Sequence, residues 1–582
     1  MKSFVKSLCC IVLAVLMCIP VLACGDTGTD PNTPGDNGEV IEKAKRPTVD
    51  GVPYGEGRTL TINLWGDTPS GLDEVVAEYK RRTADIFAFD IEFKFSPLDQ
   101  YKQNLTLNIG SSTSNLDLVF DAGWIYLDEW SRNGNYVRLD KYFDNDEYPG
   151  LKKAFPADYL DNNRFDGGLY AIPLTETFGS SNVAYYREDW RKEAAADGVT
   201  SLADGIDSPE QVEDYLYWVL ENKQGVTPLI CNRDGFGPYN LASGFEDQGD
   251  GLTVEQNNAI GVRSWQVGLD VNLTVYVDPE TKTAKSAYMP FYQDSTALSR
   301  FPSQYQDSSK FTGNWQAIMR RVRTWYEDGI ISKDVLNESD AMPKFRNGQG
   351  GMYVDDIANF VTHQSALQKI DPNAELEVFV YSRQEREMVQ PNWGTDFRAW
   401  NYLAIPRSSQ NEDIAMLFMD WLFSSRENHD LFQYGIEGKH WTRIDPTEEG
   451  GTYSALVTAD HEPYTLNSYL LTWNPTYLRT PAGISEKAAR FIEYVQDPDS
   501  YTTLIYSDFA FDATNIASEL ANPDFATYKT QHIPYYLGTQ ADPVAQFQQI
   551  LDQRIANQKF QQDLAIIEAE FLSQLQDYLD NL

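Results

Sequence analysis

Between Arg58 and Trp124 the apolar residues switch repeatedly between two periods, and that alternation constrains the fold more than any other feature of the chain. Leu60, Ile62 and Leu64 alternate with Thr61 and Asn63 and stop at Trp65-Gly66-Asp67, the pattern of a strand. Leu72, Val75, Val76 and Tyr79 then fall at helical spacing. Phe87, Phe89, Ile91, Phe93 and Phe95 alternate again before Pro97, and Leu105 and Ile109 lie four apart in a second helix from Tyr101. Leu116 to Phe120 reads as a short buried strand closing at Asp121-Ala122-Gly123-Trp124. Strand, helix, strand, helix, strand predicts an open, mostly parallel α/β sheet. Ligands of such sheets sit beyond the carboxyl ends of the strands, which puts Trp65, Asp67, Asp121 and Trp124 on one rim.

At 582 residues the chain is too long for one core, so two or more lobes are expected. Leu169 to Pro173, Val183 to Tyr186 and Gly350 to Val354 read as further short strands. Ser208 is placed to cap a helix over Val212 to Leu220, and Trp315 to Gly329 carries Ile318, Val322 and Trp325 on one face. Ile414 to Phe423 predicts a strongly apolar helix. From Pro543 to Leu582, steps of three and four describe long amphipathic helices. Their phase breaks between Ile555 and Phe560, which favours packing onto the body over a coiled coil. There is no internal repeat.

The amino terminus has Lys2 and Lys6 ahead of an apolar run from Leu8 to Leu22, a run too short for a comfortable bilayer span. Val21-Leu22-Ala23-Cys24 resembles the lipobox of bacterial lipoproteins, in which the cysteine is acylated and becomes the first residue. Residues 1–23 are thus expected to be a signal peptide, with Cys24 carrying the lipid. Residues 24–57, rich in Gly, Pro, Asp, Asn and Thr, are read as a disordered tether. Of the five cysteines, Cys9, Cys10 and Cys18 leave with the signal and Cys24 is lipidated. Cys231 alone remains, so no disulfide can form within the mature chain. The expected location is the outer face of the cell membrane. A formal charge of −39 repels nucleic acid and anionic lipid head groups. Aromatic residues make up 13% of the chain, and their flat faces suit stacking on sugar rings.

The order and spacing of several segments resemble the solute-binding proteins of bacterial ABC importers, in particular the large lipoprotein members of Gram-positive bacteria. Besides the strands above, these are Asp166-Gly167-Gly168-Leu169-Tyr170-Ala171-Ile172-Pro173, Ala184 to Trp190, Trp325 to Ile331, Gly350 to Tyr353 and Tyr434 to Trp441. The resemblance implies a periplasmic-binding-protein-like fold of two α/β lobes, each a mostly parallel sheet flanked by helices, with hinge strands between them. On that template residues 58–176 and 396–435 form lobe 1, and 177–395 and 436–582 form lobe 2. It implies a monomer that closes over a carbohydrate, expected to be an oligosaccharide, and hands it to permease subunits. Peptide binding, a sensor-linked receptor and an extracellular glycoside hydrolase are the alternatives.

Trp65, Trp124, Trp393, Trp400 and Trp441 are candidate stacking platforms, with Phe178 and Tyr239 behind them. Asp67, Asp121, Glu176, Asp355 and Asp396 can accept hydrogen bonds from sugar hydroxyls, and Arg398 can donate to a hydroxyl or carboxylate. Each also fits a packing or solvated role. The five histidines form no zinc motif, and there is no Gly-x-Ser-x-Gly elbow or P-loop. Asp144-Asn145-Asp146-Glu147 lacks the glycine and terminal glutamate of a calcium loop. No catalysis, cofactor or metal is expected.

Overall fold

The computed structural model describes residues 54–582 apart from 110, 112–115, 176, 180–181, 248–251, 269–270, 445–453, 459, 478 and 527. The expected signal peptide, Cys24 and Glu176 lie outside the described residues. The first described residue, Tyr54, lies four residues before the expected start of lobe 1 at 58. Tyr54 pairs with Phe87, and its hydroxyl donates to Asp413.

The first sheet has the strand order Asp90–Ser96, Thr59–Trp65, Leu118–Asp121, Asn401–Ala404, Ala171–Leu174. The first three strands are parallel, and Asn401–Ala404 runs against both of its neighbours. Phe87 and Phe89 precede the second strand and lie against each other with tilted rings 4.9 Å apart instead of joining it. The apolar helix spans Glu412–Leu422, and every residue from Ile414 to Leu422 is buried. A helix apolar all round must be covered all round. The helix Pro149–Ala154 approaches it so closely that a side chain at Gly150 would overlap the Asp420 carbonyl. The Asp420 carboxylate turns back to accept from the Gly150 and Leu151 N–H groups at 2.9 and 3.2 Å. At the other end Asp413 takes a bidentate bond from Arg58, which ties the return helix to the first strand.

The second sheet has the order Leu376–Phe379, Asn182–Arg187, Gly350–Asp356, Thr227–Ile230. Gly350–Asp356 is parallel to Thr227–Ile230, whereas Asn182–Arg187 is antiparallel to both neighbours. The mostly parallel expectation therefore carries one exception per lobe. In each case the exception is the strand that arrives from the other lobe, so its amino end sits at the interlobe edge. The remaining strands present their carboxyl ends there. Ser208 caps the helix Pro209–Asn222 through a capping box with Gln211, and Gly329 ends Trp315–Asp328 at φ 91°.

One boundary and one set of strands differ from expectation. The chain does not join the second lobe at residue 436. Leu466, Leu470, Leu471 and Tyr477 belong to the first core, with Ile436, Tyr464, Tyr469 and Trp473 against it. Tyr464 donates to the Phe432 carbonyl at 2.8 Å and Asn474 to the Ala154 carbonyl at 2.9 Å, which hold this excursion in place. Only with Ala488–Val495 does the chain enter a second-lobe core. In addition, the strands Val262–Gly268, Val271–Asp278 and Thr283–Tyr288 form an antiparallel meander that the sequence reading passes over. The tail helix Gln558–Asp580 packs on it. That helix follows Pro543–Ala556 after a break at Asn557, whose side chain caps it, where the apolar phase slips.

Leu422 is fully buried in the return helix. Leu422→Ala is expected to lower unfolding stability by about 2–5 kcal/mol, read from the denaturant midpoint of the first-lobe transition.

Candidate functional site

The interlobe edge collects the ends of strands from both sheets. Trp65 ends the first strand and meets Trp124 edge-on, with ring centroids 6.4 Å apart. On its other side lies Tyr469, at 5.6 Å, followed by Trp473 at 5.8 Å from Tyr469. These four half-buried rings form a continuous aromatic band. The indole N–H groups of Trp65 and Trp473 are buried without a hydrogen-bond partner. Lys102 stands over the Trp124 face at 5.4 Å.

Opposite this band, Gly350–Asp356 ends in Asp355 and leads into the helix Phe360–Ile370. Between the two walls lies a cavity of about 650 Å³, lined from the first lobe by Tyr464, Tyr469 and Trp473 and from the second by Arg346, Asp355 and Asn359. Thr177, on the first crossing segment, also lines it. A concave site with rings on one side and a few convergent polar groups on the other suits a ligand with apolar faces and polar edges. Asp355 is held firmly. One of its oxygens, Oδ2, meets His363 Nε2 at 2.9 Å and accepts from Asn359 at 3.0 Å.

Of the thirteen candidates from sequence, Asp355 lines the cavity, and Trp65 and Trp124 join the band beside it. Asp67 is exposed on the turn after Trp65. Asp121 is corrected: it is fully buried and accepts from Tyr136 at 2.5 Å and from the Ala122 and Tyr126 N–H groups. It fixes the rim loop and has no face toward a ligand. Burial pushes its carboxyl up to about 7 against the bonds that favour the ionised form. Trp441 is also corrected. It is 1% exposed, donates to the Gly435 carbonyl at 3.0 Å and lies under the Arg479 guanidinium, so it braces the cavity wall from behind.

Phe178, Trp393 and Asp396 lie in the crossing segments. Trp393 stacks on Tyr501 at 5.5 Å, Phe178 meets Phe397 at 5.1 Å, and Trp393–Thr395 pairs with Tyr501–Thr503. A Cβ on Gly179 would overlap the Trp393 ring, so these residues pack the hinge. Asp396 caps the Arg398 N–H at 3.2 Å in a turn where Phe397 takes φ 55°. Arg398 lies close enough to Asp128 to favour its carboxylate, although burial of Asp128 prevails and raises its pKa. Trp400 is 47% exposed at the interlobe edge, outside the cavity lining. Tyr239 is remote: it lies against Tyr536 at 4.6 Å, in the helix Gly237–Ser243.

Sequence reasoning missed Tyr469, Trp473 and Arg346. The first two follow Leu466 in a short irregular stretch with no periodicity, and only the excursion onto the first core brings them to the rim. Arg346 ends a five-residue helix and reads locally as an ordinary surface cation.

Asp121 gives a pH test. Between its ordinary 3.8 and about 7 the folded chain keeps a proton that the unfolded chain has released. Its stabilising contribution is thus complete below about 4 and is lost as pH rises through 7. Wild type should therefore lose more melting temperature from pH 5 to pH 8 than Asp121→Asn.

No protein-family profile matches the chain. A Streptococcus pneumoniae protein named carbohydrate ABC transporter substrate-binding protein is 21% identical over 400 residues, 68% of this chain and 67% of that one. The N-glycan transport solute-binding protein NgtS of S. pneumoniae, solved with Man1GlcNAc, superposes with a TM-score of 0.59 at 16% identity. The match covers 90% of this chain and all of that one. The alginate-binding protein AlgQ2 without calcium ion superposes with a TM-score of 0.53, also at 16% identity, over 90% and 98% of the two chains. These relatives are binding components of transporters and not enzymes. By sequence over about two thirds of its length this chain is similar to a carbohydrate ABC transporter substrate-binding protein, and by fold it is similar to solved sugar-binding proteins.

Proposed function

We propose that the chain captures an oligosaccharide between its two lobes and delivers it, chemically unchanged, to the permease subunits of an ABC importer. The observation that carries this reading is the cavity itself, with the ring band on one wall and Asp355 and Arg346 on the other. Rings cover the C–H faces of sugars while the polar wall meets their hydroxyls. A volume of about 650 Å³ holds several sugar units, in keeping with neighbours solved as complexes with Man1GlcNAc and Man5GlcNAc. Because walls come from both lobes, ligand contacts favour a closed arrangement, and the packed crossing segments serve as hinge.

Lipid on Cys24 would hold this trap on the outer face of the membrane. The polar segment that follows Cys24 would then act as a tether and raise its effective concentration at the permease. Cys24→Ser is expected to move the protein from the membrane fraction to the medium and to abolish incorporation of labelled palmitate; persistent membrane retention without label would refute the anchor.

Calorimetry and tryptophan fluorescence with Man5GlcNAc, alginate oligomers, xylo-oligosaccharides and peptides should give a sugar complex from which the ligand is recovered intact. Tyr469→Ala should weaken that complex about tenfold or more, or roughly 1.4 kcal/mol, with folding retained. Release of shortened sugar at catalytic rates would favour a glycoside hydrolase instead.

A further inference from the structure

Arg346 and Asp355 both line the cavity, yet they do not form an ion pair with each other. His363 stands between them. The Arg346 Nε–H donates to His363 Nδ1 at 3.1 Å, and His363 Nε2 meets Asp355 Oδ2 at 2.9 Å. Because arginine has only donors, Nδ1 must carry the lone pair and Nε2 the proton, so the ring is neutral and donates to the carboxylate. The ring is fully buried and boxed by Tyr185 at 4.9 Å, Phe345 at 5.4 Å and Tyr353 at 6.0 Å. That packing fixes its orientation, and burial lowers its pKa, which keeps it neutral. Among the described residues, Asp355 Oδ1 and the Arg346 Nη atoms have no protein partner. Two opposite charges in a partly dry cavity would otherwise collapse together and satisfy each other.

We propose that His363 is a positioning residue, a neutral spacer that holds Arg346 and Asp355 apart so that both face the ligand as one donor and one acceptor of zero net charge. This rests on the reading of the cavity as the sugar site and deepens it. An acceptor carboxylate beside a donor guanidinium fits neighbouring hydroxyls of a neutral sugar unit. A uronate carboxylate would face Asp355 as well as a chain of charge −39. Neither lobe needs to move for the pair to be presented, since all three residues belong to the second lobe.

The test has a ligand-independent arm and a binding arm. Selective ¹⁵N labelling is practicable with five histidines, and His363→Gln assigns the signal. The expected spectrum is a neutral Nε2–H ring from pH 8 to pH 5.5; an imidazolium or an Nδ1–H tautomer there would overturn the spacer. In the second arm, wild type is titrated with Man5GlcNAc as neutral probe and an alginate trisaccharide as anionic probe. His363→Gln, whose amide supplies an acceptor and a donor at similar spacing, should keep Man5GlcNAc affinity within about threefold, whereas His363→Leu should lose at least tenfold with unchanged melting temperature. Equal binding by the leucine variant, or tighter wild-type binding of the alginate probe, would sink the inference while leaving sugar capture intact. Failure of both sugars to bind wild type would count against the sugar reading itself, and the spectrum would still decide the spacer.

Discussion

A strand that crosses from one lobe into the sheet of the other must enter at the interlobe edge, and most of this structure follows from that constraint. Asn182–Arg187 and Asn401–Ala404 both obey it, and both run against their neighbours. Every other strand of the two principal sheets then ends where these begin. Trp65, Trp124, Thr177 and Asp355 come from four separated parts of the sequence, yet all follow or terminate such a strand. The site is therefore a consequence of strand direction before it is a consequence of any particular side chain.

The crossing segments also divide the aromatic residues into two populations. Phe178, Trp393, Tyr501 and Phe397 pack among themselves at the hinge, where a glycine at 179 lets the Trp393 ring approach the backbone. Tyr469 and Trp473 line the cavity, and Trp65 and Trp124 continue their band beside it. Hinge rings that interlock stiffen the axis of motion, whereas cavity rings leave faces and two indole N–H groups unused. Composition alone counts both populations together, so a high aromatic content does not separate hinge rings from cavity rings.

The elements that were legible are those set by local pattern. Leu60, Ile62 and Leu64 announce a strand by period, Ser208 a helix by its cap, and the slip between Ile555 and Phe560 a break that Asn557 fills. Positions at or beside the cavity were foreseeable where they end or follow a readable strand, as Asp355, Trp65 and Trp124 do. Asp121 follows one too, but its side chain turns inward to Tyr136, a choice set by neighbours 15 residues away. The excursion from Ile436 to Tyr477 onto the first core was not legible. It has little periodicity, and its attachments at Phe432, Ala154 and Phe423 are backbone carbonyls that carry no sequence signature.

The polar wall makes the same point at the level of charge. Read singly, Arg346, His363 and Asp355 are a helix-end cation, a core histidine and a strand-end acid. Their meaning lies in the order Arg–His–Asp along one line of hydrogen bonds, in which the middle member cannot be charged without losing its bond from Arg346. In so acidic a chain, an arginine without a carboxylate partner is costly unless something else takes up its donors. The second lobe therefore presents a donor and an acceptor to the cavity, and the opposite wall presents ring faces. On the proposed reading, a sugar with hydroxyls along its edge and C–H groups on its face would meet both walls at once, so that closure and recognition would be the same event.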